Sequence, residues 1–144
     1  MSSFIRAAEP KDIPDLSILF SDLSGHTVTE NDVQDRLKLI EASAIDELYV
    51  FEQDQHVLGA LAFRIRENIE ERSRYGEISV LIIKAEARKA GIGRKLMEFA
   101  EQHAKELNCK GTWLVSGFGR EEEAHKFYQT LGYSINGYRF VKPL

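Results

Sequence analysis

Glu77-Ile78-Ser79-Val80-Leu81-Ile82-Ile83-Lys84-Ala85-Glu86-Ala87-Arg88-Lys89-Ala90-Gly91-Ile92-Gly93-Arg94-Lys95 is the stretch on which the fold turns. It opens with an apolar run, residues 78–83, rich in β-branched side chains, which reads as a buried strand. Arg88-Lys89-Ala90-Gly91-Ile92-Gly93 follows. Then Leu96, Phe99, Ala100, His103, Ala104 and Leu107 recur at steps of three and four, one face of a helix. A strand therefore feeds a glycine-containing turn that opens a helix.

That geometry aims backbone N–H groups and the positive helix end at one spot. Arg94 and Lys95 fall in the first turn, where the helix dipole disfavours cations. Between Lys84 and Lys95 there are five cations and one acid, a local charge of +4 in a chain of −4. A bound anion resolves the conflict; a solvated basic turn is the plainer alternative. Two standard phosphate motifs do not fit. A dinucleotide fingerprint needs glycine where Leu96 stands, and the P-loop spacing before Gly-Lys-Ser/Thr is absent.

Outward from this stretch, 144 residues predict one domain, 1–144. The hydrophobic share of 43% and charged share of 29% are ordinary for a globular protein. No apolar run approaches the ~20 residues of a membrane span. The first residues, Met-Ser-Ser-Phe-Ile-Arg, have no apolar signal region. A single cysteine, Cys109, rules out an internal disulfide and fits a reducing cytoplasm. The acidic balance argues against nucleic acid as a partner. No His/Cys spacing suggests a metal site.

Residues 4–7 read as a first strand. Pro10-Lys11-Asp12 starts a helix with Ile13, Leu16, Leu19, Phe20 and Leu23 on one face, stopped by Gly25. Thr29 caps a second helix, with Asp32 in the capping-box position and Val33, Leu37 and Ile40 inward. Residues 48–51 and 57–66 form a hairpin in which Leu58, Ala60, Ala62 and Arg64 alternate with Leu61, Phe63 and Ile65. A charged loop, 68–75, precedes the central strand, 77–84. Asn108 ends the third helix, and 111–116 is a fifth strand. Glu121, Glu122 and Glu123 supply acid to the start of a fourth helix, with Ala124, Phe127, Tyr128 and Leu131 on one face and Gly132 at its end. Residues 133–142 read as a last strand, with a bulge rather than a hairpin at Asn136-Gly137. The order β-α-α-β-β-β-α-β-α-β is an α/β mixed sheet with helices on both faces.

Residues 88–93 match Gln/Arg-x-x-Gly-x-Gly/Ala, the pyrophosphate loop of the GNAT superfamily of N-acetyltransferases. Ala124-His125-Lys126-Phe127-Tyr128-Gln129-Thr130-Leu131-Gly132-Tyr133 matches that superfamily's second hallmark, Ala-x-x-Phe-Tyr-x-x-x-Gly-Phe/Tyr. Together and in order, the two motifs are specific. The resemblance covers nearly the whole chain, from Ile5-Arg6-Ala7-Ala8 onward. The C-terminal part looks like small bacterial aminoalkylphosphonate and aminoglycoside N-acetyltransferases.

The resemblance implies a GNAT-like fold with a central splayed pair of parallel strands. It implies acetyl transfer from acetyl-CoA to a primary amine of a small molecule, by direct attack through a tetrahedral intermediate. The diphosphate would be held by backbone donors of Lys89, Ala90, Gly91, Ile92, Gly93, Arg94 and Lys95, with charge from Arg88, Arg94 and Lys95. The pantetheine arm would pair with the backbones of Leu81, Ile82 and Ile83, with Ser116 on the neighbouring strand. A backbone N–H near Ile82 or Ile83 would meet the charge that develops on the thioester oxygen. Tyr128 would touch the cofactor and protonate the leaving thiolate, and Glu77 would take the proton of the attacking amine. Residues 22–30, carrying Asp22, His26 and Glu30, would line the acceptor pocket.

Each role has a plainer counterpart: a packed tyrosine, a strand-end glutamate, a solvated loop. His103 reads as a packed histidine and His125 as an exposed one. The family's pattern is broken at two places. Glu121, with Arg120 beside it, stands where relatives carry a cofactor-contacting Asn. Ala85 and Lys89 replace a Pro and a Gly of the loop. A protein or peptide acetyltransferase and a non-catalytic coenzyme A sensor are the competing functions. Either a monomer or a homodimer is compatible with the sequence.

Overall fold

The structure is a computed structural model, and it describes residues 2–116 and 121–144. Its strands are β1 (Ser3–Ala7), β2 (Asp46–Gln53), β3 (His56–Glu67), β4 (Arg74–Ile83) and β5 (Gly111–Leu114). Its helices are α1 (Ile13–Ser24), α2 (Glu30–Ala42), α3 (Ile92–Glu106) and a short α4 (Lys126–Thr130). The sheet order is β1-β2-β3-β4-β5, antiparallel from β1 to β4 and parallel between β4 and β5.

Local chemistry explains the first helices. Gly25 takes the left-handed conformation, φ 79°, and ends α1 with its N–H on the Ser21 carbonyl. Thr29 Oγ1 accepts the Asp32 N–H at 3.1 Å while Asp32 Oδ2 accepts the Thr29 N–H at 2.9 Å, the expected capping box. The two helices cover one face of the sheet, where Leu16, Leu19 and Val33 meet Val50, Ala60 and Ile82. Leu23 was expected inward but is 37% exposed, because it lies in the last turn beyond the sheet.

Helix α3 covers the other face, with Leu96, Met97 and Ala100 fully buried against Phe51, Leu61 and Phe63. Burial of Leu96 and of Met97 contributes on the order of 1.5–3 kcal/mol each. Gly76 is required here, since a Cβ on it would lie 2.4 Å from Cζ of the buried Phe63 ring.

Two irregularities reset the alternation of the strands. Phe51 pairs with Gly59 and Glu52 with Val57, so Leu58 is an extra residue on β3. Leu58 therefore joins Leu61 on the α3 face rather than Ala60, as plain alternation predicted. Likewise Ala62 pairs with Val80 and Phe63 with Ile78, which makes Ser79 an extra residue on β4. Parallel pairing of β4 to β5 runs from Tyr75↔Gly111 to Ile78↔Leu114 and ends at that same bulge. Beyond it the two strands part, which is the splay expected from the family resemblance.

Several boundaries differ from expectation: β2 and β3 are longer at both ends. β4 begins at Arg74, so the preceding loop is shorter, and β5 ends at Leu114 instead of Ser116. The fourth helix is divided into a wide π-type turn over Glu121–His125 followed by α4. The final strand, 133–142, is not formed: residues 133–144 belong to no sheet. Strand propensity alone cannot make a strand, because a strand exists only against a paired edge.

Candidate active site

The turn after β4 is built to present amides. Lys89 takes a left-handed φ of 68° and Gly91 one of 81°. The glycine that Lys89 replaces is thus missed conformationally, and the lysine adopts its backbone anyway. The first helical bond of α3 runs from the Lys95 N–H to the Gly91 carbonyl at 3.1 Å. Among the described residues, no hydrogen bond uses the N–H groups of Lys89, Ala90, Gly91, Ile92, Gly93 or Arg94. Six consecutive donors at the positive end of a 15-residue helix suit an oxyanion such as a diphosphate. A Cβ on Gly91 would meet no atom within 4 Å, so the space beside these donors is open.

The cations expected there are arranged differently from one another. Arg94 is exposed in the first turn. Lys95 lays its ammonium 5.9 Å over the Phe51 ring. Arg88 is engaged: its guanidinium donates to the Ile83 carbonyl at 3.2 Å and pairs with Asp22 Oδ2 at 2.9 Å. It ties the turn to the end of α1. Asp22, expected in an acceptor pocket, is this tie's other half; His26 contacts the Thr27 carbonyl, and Glu30 opens α2.

The splay leaves part of β4 without a parallel partner. The Lys84 N–H bonds the Leu58 carbonyl, so by ladder parity Ile82 turns its backbone groups toward Ala60 on β3. Leu81 and Ile83 turn theirs toward the gap. Ile82 contributes its side chain, buried on the α1 face. Ser116 follows β5, unpaired and half-buried, on the other side of the gap.

Glu77 pairs in register with Arg64 on β3 and Trp113 on β5, so all three share the α1 face of the sheet. Its side chain is 16% exposed and lies 3.7 Å from Arg66 Nε, while Arg66 in turn covers the Trp113 ring at 5.6 Å. Arg64 bonds Asp46 at 2.7 Å, which raises its pKa, with Glu77 adding to the effect. A carboxylate is thus held beside two guanidiniums and an indole.

The two sequence motifs meet in space. Phe127 of α4 lies against the start of α3, its Cζ 3.3 Å from where a Gly93 Cβ would stand. Tyr128 is half-buried, edge-on to Phe127 at 5.2 Å and to Tyr133 at 6.1 Å. Burial pushes the Tyr133 phenol up to about 12, and its hydroxyl meets Thr112 Oγ1 at 2.7 Å. The sequence model of the acetyltransferase (GNAT) family matches residues 15–133, a span that holds both motifs. The chain belongs to that family.

This GNAT acetyltransferase is 30% identical over 88 residues to aminoalkylphosphonate N-acetyltransferase of Salmonella typhimurium. That match spans 61% of the chain and 56% of the Salmonella protein. It is 28% identical to the uncharacterized N-acetyltransferase YhdJ of Bacillus subtilis, over 81% of the chain and 83% of that protein. In structure it resembles a GNAT family acetyltransferase of Staphylococcus aureus, with a TM-score of 0.84, 30% identity and full coverage of both chains.

Among the described residues, no group of three or more His, Cys, Asp or Glu is placed to hold a metal ion. No described helix is long and apolar enough to cross a membrane. His103 is packed, as expected: it stacks on Phe99 and its Nε2 lies 2.6 Å from Glu47 Oε1. His125, at the end of the wide turn, is half-buried rather than exposed. The side chain of Glu121 and all of Arg120 lie outside the described residues. Sequence reasoning missed Arg64, Arg66 and Trp113. The signal was there: arginines at the polar end of an otherwise apolar strand, with a tryptophan on the next.

Proposed function

We propose that this family member moves the acetyl group of acetyl-CoA to the primary amine of a small molecule. The observation that carries the reading is the run of six uncommitted amides, 89–94, beside an unpaired edge of β4. A diphosphate joined to a peptide-like arm needs those two features next to each other. On this reading Lys89 to Arg94 hold the diphosphate, with charge from Arg94 and Lys95. Leu81 and Ile83 pair with the pantetheine, across from Ser116. The N–H of Ile83 or Leu81 faces the thioester oxygen, and it stabilises the charge that develops there.

Glu77 then serves as base. An alkylamine has a pKa near 10 and arrives mostly protonated, so a carboxylate must take its proton directly or through water. Arg66 lies beside that carboxylate, and Arg64 stands opposite it in register. Tyr128 serves as acid for the thiolate, whose parent pKa is near 8.5. Arg66 is 47% exposed beside Glu77, which suits an acceptor that carries an anionic group near its amine. The Salmonella relative's aminoalkylphosphonates have that chemistry, so they head the list of acceptors.

The test is thiol release from acetyl-CoA by the purified protein. Aminoalkylphosphonates, amino acids, polyamines, aminoglycosides and peptides form the panel. Turnover with an aminophosphonate or amino acid above the others supports the reading. Turnover with peptides alone, or none with any amine, overturns it.

A further inference from the structure

Arg66 is poised rather than committed. Its Nε stands 3.7 Å from Glu77 Oε1, beyond hydrogen-bond distance, and its guanidinium covers the Trp113 ring at 5.6 Å. Among the described residues its N–H donors meet no hydrogen-bond acceptor. Arg64, two residues back, differs. Its Nε–H bonds Asp46 Oδ1 at 2.7 Å, and Asp46 also accepts the Ser43 hydroxyl at 3.1 Å. Within the Arg66–Glu77 pair the exposure is uneven: the arginine side chain is 47% exposed and the glutamate 16%. Arg66 is therefore the half that faces water, and Glu77 is the half that is covered.

The register gathers these groups on one patch. Arg66 pairs with Tyr75 and Tyr75 with Gly111, in the row next to Arg64, Glu77 and Trp113 on the same face of the sheet. A Cβ on Gly111 would lie 3.0 Å from Tyr75 Cε2, so the Tyr75 ring lies across that glycine. Two rings, Tyr75 and Trp113, thus border the ion pair. The spacing of the pair is informative. An ammonium seated on Glu77 and an oxyanion seated on Arg66, each at about 2.8 Å, stand roughly 4 Å apart when they bind side by side. An amine and an acid group joined through one or two carbons span roughly 3–5 Å. A polyamine brings no anion, and an amine at the end of a long chain holds its anion too far away.

We propose that Arg66 selects the acceptor by shielding Glu77 from amines that bring no anion and by leaving it for an anion when the acceptor carries one. This rests on the reading of Glu77 as the base. A simple alkylammonium reaches Glu77 only by displacing Arg66, and the displaced guanidinium gains no partner. A dipolar acceptor exchanges partners instead. Its carboxylate or phosphonate takes the guanidinium in two parallel bonds while its ammonium takes Glu77. One loose ion pair becomes two close ones, and the amine is set beside its base in the same step. The acceptor class is a small amine whose oxyanion lies one or two carbons from its nitrogen.

The test is a crossed change in specificity. Arg66→Met keeps an aliphatic chain over Trp113 and removes the charge. With acetyl-CoA as donor, kcat/KM is measured on wild type and variant for ethylamine, glycine, aminoethylphosphonate and aminohexanoate. Glycine and aminoethylphosphonate should fall roughly 10–100-fold. Ethylamine should rise about 2–5-fold, the worth of the pair it no longer has to break. Aminohexanoate, with its anion far off, should follow ethylamine. Arg66→Lys should recover part of the lost preference, since it returns the charge without the fork. A second readout needs no turnover. Trp113 is the single tryptophan, so its emission should respond to ethylphosphonate, which has no amine, in wild type and not in Arg66→Met. An equal fall with every acceptor, an ethylamine rate that does not rise, or a Trp113 emission indifferent to ethylphosphonate would each overturn the proposal. Glu77→Gln keeps its failure distinct from that of the reading beneath it. A near-wild-type rate there removes base and shield together, whereas an inactive Glu77→Gln beside uncrossed Arg66→Met rates removes the shield alone.

Discussion

Replacing Gly91 with valine separates the loop's backbone strain from its ligand contacts. Gly91 sits at φ 81° at the start of α3, and a Cβ there meets no protein atom within 4 Å. The cost to the fold is therefore the left-handed conformation alone, about 1–2 kcal/mol. For a protein of this size that lowers Tm by roughly 3–8 °C. Binding should suffer far more. Displacing a phosphate from even two charge-assisted amide bonds, at ~1.5–3 kcal/mol each, loses ~3–6 kcal/mol, or about 10²–10⁴-fold in affinity for acetyl-CoA. Gly25 supplies the control. It has φ 79°, no atom within 4 Å of its built Cβ, and a place at the end of α1. Gly25→Val should lose similar stability and keep acetyl-CoA affinity. Calorimetric titration and thermal melts on both variants decide the matter. A Gly91→Val protein that binds within ~3-fold of wild type, or a Gly25→Val protein equally impaired, would refute the placement of the diphosphate.

Tyr128→Phe keeps the ring against Phe127 and Tyr133, so stability should move by about 1 kcal/mol while kcat falls roughly 10²-fold; a full rate with an unchanged melt removes the acid role. Glu77→Gln should lower kcat by about 10²–10⁴-fold at neutral pH without changing acetyl-CoA affinity, and the deficit should shrink at alkaline pH, where the amine arrives neutral. A rate within a few fold of wild type at pH 7 returns Glu77 to a structural ion pair. At Asp12, burial pushes the carboxyl up, but its bonds from the Arg6 guanidinium and the Glu9 N–H outweigh this and hold it below the usual value. Its stabilisation is therefore complete above an unfolded value near 4 and is lost as pH falls through the folded one. Asp12→Asn should lower Tm at pH 7 and flatten the acid limb of Tm against pH; an acid limb identical to wild type would count against it.

The strand-turn-helix at 77–95 was legible because three local signals coincide there: an apolar β-branched run, paired glycines and a 3.6-residue stripe. The capping box at Thr29 and the stop at Gly25 were legible for the same reason, since each is decided within four residues. The bulges at Leu58 and Ser79 were not. Nothing in the composition of either strand marks an extra residue, and only the partner strand reveals which pairing was skipped. The splay was visible only through the family resemblance. Residues 133–142 mislead in the opposite way. Their alternation is a strand's, yet residues 133–144 belong to no sheet, because alternation alone does not supply the partner a strand needs. Within the site, Glu77 and Tyr128 were named from motif position. The arginine–indole platform beside Glu77 depends on cross-strand register, which one sequence does not display.

Ser79 has a consequence for how β4 can change over generations. Its side chain is exposed, so most substitutions there leave packing untouched. Its backbone, however, lets Glu77 share a face with Val80 and Ile82 instead of opposing them. Losing this one residue, with every other side chain intact, would leave Ile78 opposite Phe63 and Glu77 opposite Arg64, because it is the residue the ladder skips. An added residue beside it, drawn into regular pairing, would instead turn Glu77 into the apolar layer under α3 and Ile78 out toward Trp113. The strand is thus permissive to spelling errors and to one skipped letter here, and intolerant of an inserted one.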